Sequence, residues 1–419
     1  MKFTTVELYL FPLETLHCGY GIEQGVLLPS LAYIPGRVIR GGLGGWVLRN
    51  HNNLSAQDSL FQDLFYAHES DATISYPWCT FRGRLPAPLS LFELKDGGRD
   101  KRLSLVDSGL PVFIEEEESF DVKDIEGPVD FLRRADFPAQ IDAAFKLCHG
   151  TVDETGNKYF PAFQTGLEMK AAHHKVTGRV QQKGEDKKGE DKKGEGGLRI
   201  EEVMLGSCLT RPEEIYYKGT LIYGEDDEID ELFKPLWTHD NDLNLPDDVL
   251  LDDPDPKHLI YIGRKSVPVA VYANESETVG IAEPPLPDNL DACLTVTLTS
   301  DCIFETPPTS ESEKMRINRD TLMRQLGLND MISEFKDMRV FCRGGQVHGY
   351  DVFKNQPASW PSIAAGSCIR FKLESEAQRR QAQARLEKLS YMGLGKHRRD
   401  GCGRFKVNWE VHHLEEGGD

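Results

Sequence analysis

At 419 residues the chain exceeds one ordinary domain, and an apolar fraction of 39% is enough to fill a core in each of two. The formal charge of -19 is concentrated in two acidic stretches, 115–126 and 225–256, so the sum does not exclude a nucleic-acid partner. No run approaches the ~20 apolar residues of a membrane-spanning helix, and nine cysteines without a C-x-x-C pair exclude a zinc ribbon or disulfide framework and point to a reducing, cytoplasmic setting.

The opening segment, MKFTTVELYLFPL, alternates and carries charge, which predicts a first strand over 3–11 rather than a signal peptide. Residues 36–49 carry a glycine-rich first helix. Residues 55–170 give no assignable pattern. Residues 181–197 read QQKGEDKKGEDKKGEGG, a mixed-charge tract with no apolar residue to offset the entropy of ordering it; it reads as a solvated spacer. Strands are predicted over 198–204 and 215–223, a helix over 226–236 with Ile229, Leu232, Phe233 and Leu236 on one face, an acidic loop over about 239–257, and a closing strand over 259–272. The stretch 283–288, EPPLPD, reads as a linker between a first domain, 1–282, and a second, 289–419.

In the second domain the β-branched run 293–304 predicts a strand, 318–326 a short helix, 338–343 and 366–373 two strands, and 375–389 a helix with Ser375 as N-cap. After a glycine-rich turn, Phe405, Val407, Trp409 and Val411 alternate with polar residues, predicting a half-buried last strand. The order is βαββαβ. The predicted fold class is therefore α+β: two ferredoxin-like, RRM-like domains with loop insertions and a glycine-rich loop before the last strand.

Four basic segments carry candidate chemistry. In 33–46, Pro35 and Gly36 open a helix whose N-terminus would offer N–H groups to a phosphate, and Arg37 and Arg40 lie three apart on one face. In 393–405, Gly393, Gly395, Gly401 and Gly403 bracket a basic tip of Lys396, His397, Arg398 and Arg399, followed by Arg404; such a loop suits phosphate contact. It is not the G-x-x-x-x-G-K-[ST] nucleotide loop. The third segment holds His174, Lys175 and Arg179, and the fourth Arg264 and Lys265.

The phrases IPGRVIRGGLGG near the start, HHKVTGRV in the middle and G-x-G, basic tip, G-x-G-R-F near the end resemble signatures of the RAMP superfamily of CRISPR-associated proteins. The segment WPSIAAGS, 360–367, resembles the Csx-ten-type branch of the Cas-five group in type III-D systems. The resemblance implies two RRM-like domains and a place at the end of an effector complex, where the 5′ handle of the guide RNA is held. It implies as partners guide RNA (crRNA), indirectly target RNA, the large signalling subunit and the backbone subunits, with no membrane and no cofactor. The first domain's turn, GRKSVPV, lacks the trailing G-x-G of the pattern.

No metal-ligand spacing such as H-E-x-x-H occurs, and no nucleophile elbow. The sequence therefore predicts no catalytic residues. The rival reading is metal-independent cleavage of precursor guide RNA by His17 or His397, with Tyr20 or Lys396 beside them as acid and base. A pure scaffold without RNA contact is the third class.

Overall fold

The computed structural model describes residues 2–18, 27–28, 31–66, 74–94, 129–130, 145–147, 150–153, 159–161, 166–171, 198–203, 215–224, 226–236, 255–263, 266–274, 277–280, 293–303, 324–328, 336–351, 356–373 and 375–413. It is a mixed α/β protein rich in strands, with a large apolar core cluster in each half. No helix among these residues is long and apolar enough to cross a membrane.

The first strand, β1 (Lys2–Pro12), is central because both its edges are paired. Val6, Leu8 and Leu10 point into the core while Glu7 and Tyr9 stay half-exposed, the alternation read from sequence. Helix α1 (Gly36–Asn50) lies on the core face. It approaches so closely that a Cβ at Gly42 would stand 2.5 Å from Ile262. Trp46 is fully buried there and donates from Nε1 to the Lys257 carbonyl at 2.5 Å.

The main path of the first sheet adds β2 (Cys79–Phe81), β3 (Tyr217–Gly224), β4 (Leu259–Ile262) and β5 (Val267–Ala273), in the order β4-β5-β1-β3-β2 and then Tyr33–Ile34, with Glu277–Gly280 also pairing β1 and Ile74–Ser75 also pairing β3. Helix α2 (Asp227–Phe233) is capped by Asp226, which accepts from the Glu228 N–H, and it buries the predicted face.

Two expectations change here. The strand at Leu198–Val203 exists, but it pairs with Gly166–Ala171 and Leu27–Leu28 in a separate sheet; the strand beside β3 comes instead from 74–81, inside the stretch that showed no pattern. The closing segment is not one strand. It folds back as an antiparallel hairpin, β4 to β5, because Gly263 (φ +75°) and Ser266 (φ +52°) adopt left-handed conformations.

The second half contains β6 (Cys293–Leu298), β7 (Lys336–Phe341), β8 (Gly344–Asp351), β9 (Gln356–Ile363), β10 (Cys368–Lys372), α3 (Glu376–Met392) and β11 (Phe405–Val407). Its four-stranded sheet runs β7-β10-β6-β11. The hairpin β8–β9 is inserted between β7 and β10 and takes Cys302–Ile303 as a third strand. Ser375 is the N-cap, as its position predicted, and it completes a full capping box with Gln378. Of the predicted helix 318–326, only 324–326 lies within the described residues.

The last strand is shorter than its alternation suggests. It ends at Val407, Asn408 turns left-handed (φ +46°), and Glu410–His413 forms a 3-10 turn. That turn folds over the outer face of β6. Asn408 accepts from the Thr295 N–H at 3.0 Å, and the His412 ring hydrogen-bonds the Thr297 hydroxyl at 2.6 Å in a buried site. Trp409 and Val411 complete a small apolar cluster with Ala87, Leu91 and Val152. Burial of both ends of this segment, rather than of one alternating face, ended the strand.

Candidate nucleic-acid interface

The segment 393–404 leaves α3 through Gly393 (φ +76°) and closes on itself: Leu394 N–H donates to the Gly403 carbonyl at 2.9 Å. Gly395, His397, Gly401 and Gly403 all adopt positive φ, and Arg398–Asp400 forms one 3-10 turn. The glycines are needed for close packing of protein on protein. A Cβ at Gly395 would lie 2.0 Å from the Ile303 carbonyl oxygen, and one at Gly403 would lie 1.9 Å from that of Leu394. The floor is Asp301 and the turn 364–367. Asp301 accepts from the Ala365 N–H at 2.7 Å, and its carbonyl accepts from Gly403 N–H at 2.8 Å. Burial pushes the Asp301 carboxyl up to about 6, against the hydrogen bond and the charge of Arg343.

The segment docks on the other half of the chain. Tyr76 N–H donates to the Arg399 carbonyl at 2.7 Å, the Ser75 hydroxyl to the Arg398 carbonyl at 2.8 Å, and Trp78 Nε1 to the Asp400 carbonyl at 3.0 Å. Arg404 donates to the Thr220 carbonyl at 2.5 Å and the Ser75 carbonyl at 2.9 Å. Burial lowers the Arg404 guanidinium to about 10, which still leaves it charged at neutral pH. Arg399 is 2% exposed and donates to the Asp63 carbonyl at 2.6 Å.

These contacts change the expected roles of several site residues. Arg399 and Arg404 are not a solvated basic tip; their side chains bridge the two halves. Gly401 and Gly403 are buried, a Cβ at Gly401 falling 2.4 Å from the Tyr76 carbonyl oxygen. The start of α1 is also occupied by protein: a Cβ at Gly36 would stand 2.3 Å from the Asp400 carbonyl oxygen. A phosphate therefore does not reach Gly36, and the two glycine-rich segments fit each other.

What remains at the surface is Lys396, exposed, with Arg37, Arg40, His397 and Arg398 partly exposed. Arg40 lies 3.3 Å from Asp400, and His397 Nδ1 lies 3.5 Å from it. Burial would raise the Asp400 carboxyl, but His397, Arg40 and Arg37 outweigh it and hold the group below the ordinary carboxylate range. Two aromatic pairs frame the junction: Tyr33 stacks on Trp78 at 4.2 Å, and Trp360 on β9 meets His397 at 4.4 Å.

His174, Lys175, Arg179, Arg264, Lys265 and Tyr20 lie outside the described residues, as does the spacer 181–197. His17 sits beside the Gly263 turn, its carbonyl 3.3 Å from where a Cβ at Gly263 would be, whereas His397 sits at the loop tip. Among the described residues no group of three or more His, Cys, Asp or Glu could hold a metal. Sequence reasoning missed Ser75, Tyr76 and Trp78 because they lie in a stretch with no period, and Thr220 because it contributes only its backbone carbonyl. It noticed Trp360 only as part of a phrase.

No family model matches the chain, and no curated protein matches it. Among solved structures it is similar to a chain of the type III-B Cmr-beta complex bound to cognate target RNA and AMPPnP, at 12% identity and TM-score 0.38, over 90% of this chain and 93% of that one. It is similar to a RAMP protein binding different RNA substrates, at 9% identity and TM-score 0.33, over 96% and 99%. A Cas6 of Thermus thermophilus aligns at 12% identity and TM-score 0.22, over 46% and 75%.

Proposed function

We propose that the chain is a non-catalytic, RNA-binding subunit of a CRISPR ribonucleoprotein, gripping guide RNA across the junction of its two halves. The observation that carries this reading is the convergence of Arg37 and Arg40 from α1 with Lys396, His397 and Arg398 from the loop before the last strand. These groups come from opposite ends of the sequence, and the fold leaves all of them at least partly exposed. A rigid glycine-rich platform carrying partly exposed cations suits a sugar–phosphate backbone, which is recognised mainly by charge and position.

The finer reading is a type III-D subunit of the Csx-ten type that holds the 5′ handle and caps the complex, beside the large signalling subunit and the backbone subunits. Its support is the resemblance of the sequence phrases, three of which meet here: 33–46, 360–367 and 393–405. Two ferredoxin-like units belong to the same reading. In support, both sheets place the first strand between the closing strand and the third, with the second strand beyond it.

The test is binding of repeat-derived guide RNA by the full chain across a salt series, with cleavage followed on the same samples. Salt-dependent binding that weakens when Lys396 and Arg398 become Ala, with the RNA intact, is the expected result. Salt-independent or absent binding would favour a pure scaffold. Metal-independent cleavage lost in His17→Ala or His397→Ala would make the chain a processing nuclease.

A further inference from the structure

Trp360 stands on the hairpin that the second half inserts between β7 and β10. Its indole is partly exposed, with its ring centroid 4.4 Å from that of His397 and tilted by 51°. On the neighbouring strand, a Cβ at Gly349 would lie 2.8 Å from the six-membered ring of Trp360 and 2.9 Å from a terminal nitrogen of Arg37. Gly349 thus lies between the Trp360 ring and the guanidinium of Arg37, which α1 delivers from the other half. His348 is the next residue along, and burial together with the charge of Arg37 pushes its imidazole down.

Arg37 from α1 and His397 from the loop before β11 therefore approach one indole from elements distant in sequence, while His348, the residue before Gly349, points to the opposite face of β8. Trp360 packs in part against Ile303, Val347 and Cys402, but that apolar packing does not account for the approach of Arg37 and His397 to the same ring. A ligand with planar rings and a negative backbone satisfies both features, since a base stacks on the indole and imidazole while its phosphate meets the guanidinium. An acidic peptide would meet the charges but leave the ring unused.

We propose that Trp360 and His397 form a stacking subsite for one unpaired base of single-stranded RNA, with Arg37 placed to hold the adjoining phosphate. The proposal rests on the RNA-binding reading above and sharpens it, because a stacking site fixes which nucleotide is splayed out at the junction. Trp360 would then set the register of the RNA, while Lys396 and Arg398 supply charge.

The experiment uses the full chain and two probes: an oligouridine substituted with 5-iodouridine, and inorganic polyphosphate, which has charge but no bases. Irradiation of the RNA complex should attach the oligomer to the peptide containing Trp360 or His397. Trp360→Leu should weaken oligouridine binding roughly 5- to 150-fold, the range expected for one stacked base. The same variant should leave polyphosphate binding unchanged, and Trp360→Phe should keep most of the RNA affinity. Equal losses for both probes in Trp360→Leu, or crosslinks found only elsewhere, would overturn the subsite while leaving RNA binding by charge in place. If the wild-type chain binds neither probe, the RNA reading fails and the subsite falls with it. Should the Leu variant not fold, the wild-type crosslink map and the same comparison in His397→Ala decide the question.

Discussion

Gly263, just after strand β4, faces its own half, where a Cβ would stand 2.8 Å from the Leu16 side chain. The segment between α3 and β11 spans 393–404 and reaches the other half, where a Cβ at Gly401 would lie 2.4 Å from the Tyr76 carbonyl oxygen, while Cβ atoms at Gly395 and Gly403 would lie 2.0 and 1.9 Å from the carbonyl oxygens of Ile303 and Leu394 in its own half. Both precede the last core strand of their sheets, and both use left-handed glycine. The first meets mainly one flexible leucine, with the His17 carbonyl oxygen farther off at 3.3 Å. The second is held between two backbones, so its shape fixes how the halves sit together. A glycine-rich basic phrase thus reads alike in two settings that differ in what the glycines touch.

The comparison can be broken most severely at Gly403. Gly403→Val forces a β-branched residue into φ +73° and against the Leu394 carbonyl. A loss of more than about 3 kcal/mol is expected, against about 1–2 kcal/mol for Gly263→Val. Denaturant unfolding of the two variants checks this, and equal losses would show that the longer loop is no more constrained. Next is Arg404→Met, which removes donors to Thr220 and Ser75. It should cost about 3 kcal/mol and loosen the junction, seen as faster hydrogen exchange at Tyr76.

Asp301 supplies a pH test of the loop floor. Its folded pKa of about 6 lies above its ordinary value of 3.8. The folded state therefore binds the proton more tightly, and the stability this confers is present at acidic pH and lost as pH rises through about 6. Asp301→Asn should keep the acceptor for Ala365, abolish that fall and be about 2 kcal/mol more stable than wild type at pH 7. Parallel pH–stability curves would contradict it.

The surface charges should separate from these interior effects. Lys396 and Arg398, replaced together by Ala, should change stability by less than about 0.5 kcal/mol. They should flatten the dependence of log K on log salt by about 0.7 per lost single-strand phosphate contact. Arg399 is left out of this pair because its removal would open the junction. An unchanged salt slope would mean that this loop does not hold RNA. The smallest effect is expected from deleting 181–197: melting temperature and RNA affinity should stay within error, since that composition contributes no core.

Much of the second half was legible in the chain. The β-branched run at 293–298, the Ser375 capping box and the helix that follows specify themselves through short-range periodicity and backbone hydrogen bonding. In the first half the same logic found β1, α1, β3 and α2. It misplaced the strand beside β3, because Ile74–Ser75 and Cys79–Phe81 are too short to show a period and Pro77 interrupts them. The end of β11 was misread for a related reason. Alternation over 405–411 describes one buried face, yet Trp409 and Val411 are buried by Ala87, Leu91 and Val152 from far up the chain.

For the candidate site, the sequence by itself singled out segments that the fold brings together: two glycine-rich basic phrases at opposite ends, and a tryptophan phrase between them. Tertiary structure alone decided their roles. Arg399 and Arg404 carry the same charge as Arg398 and lie within six residues of it, and nothing local distinguishes them. Burial against Asp63, Thr220 and Ser75 turns two of them into struts and leaves the third partly exposed. The reason is physical: hydrogen-bond partners and solvent access are set by whatever packs opposite, and here that is chain more than 170 residues away in sequence.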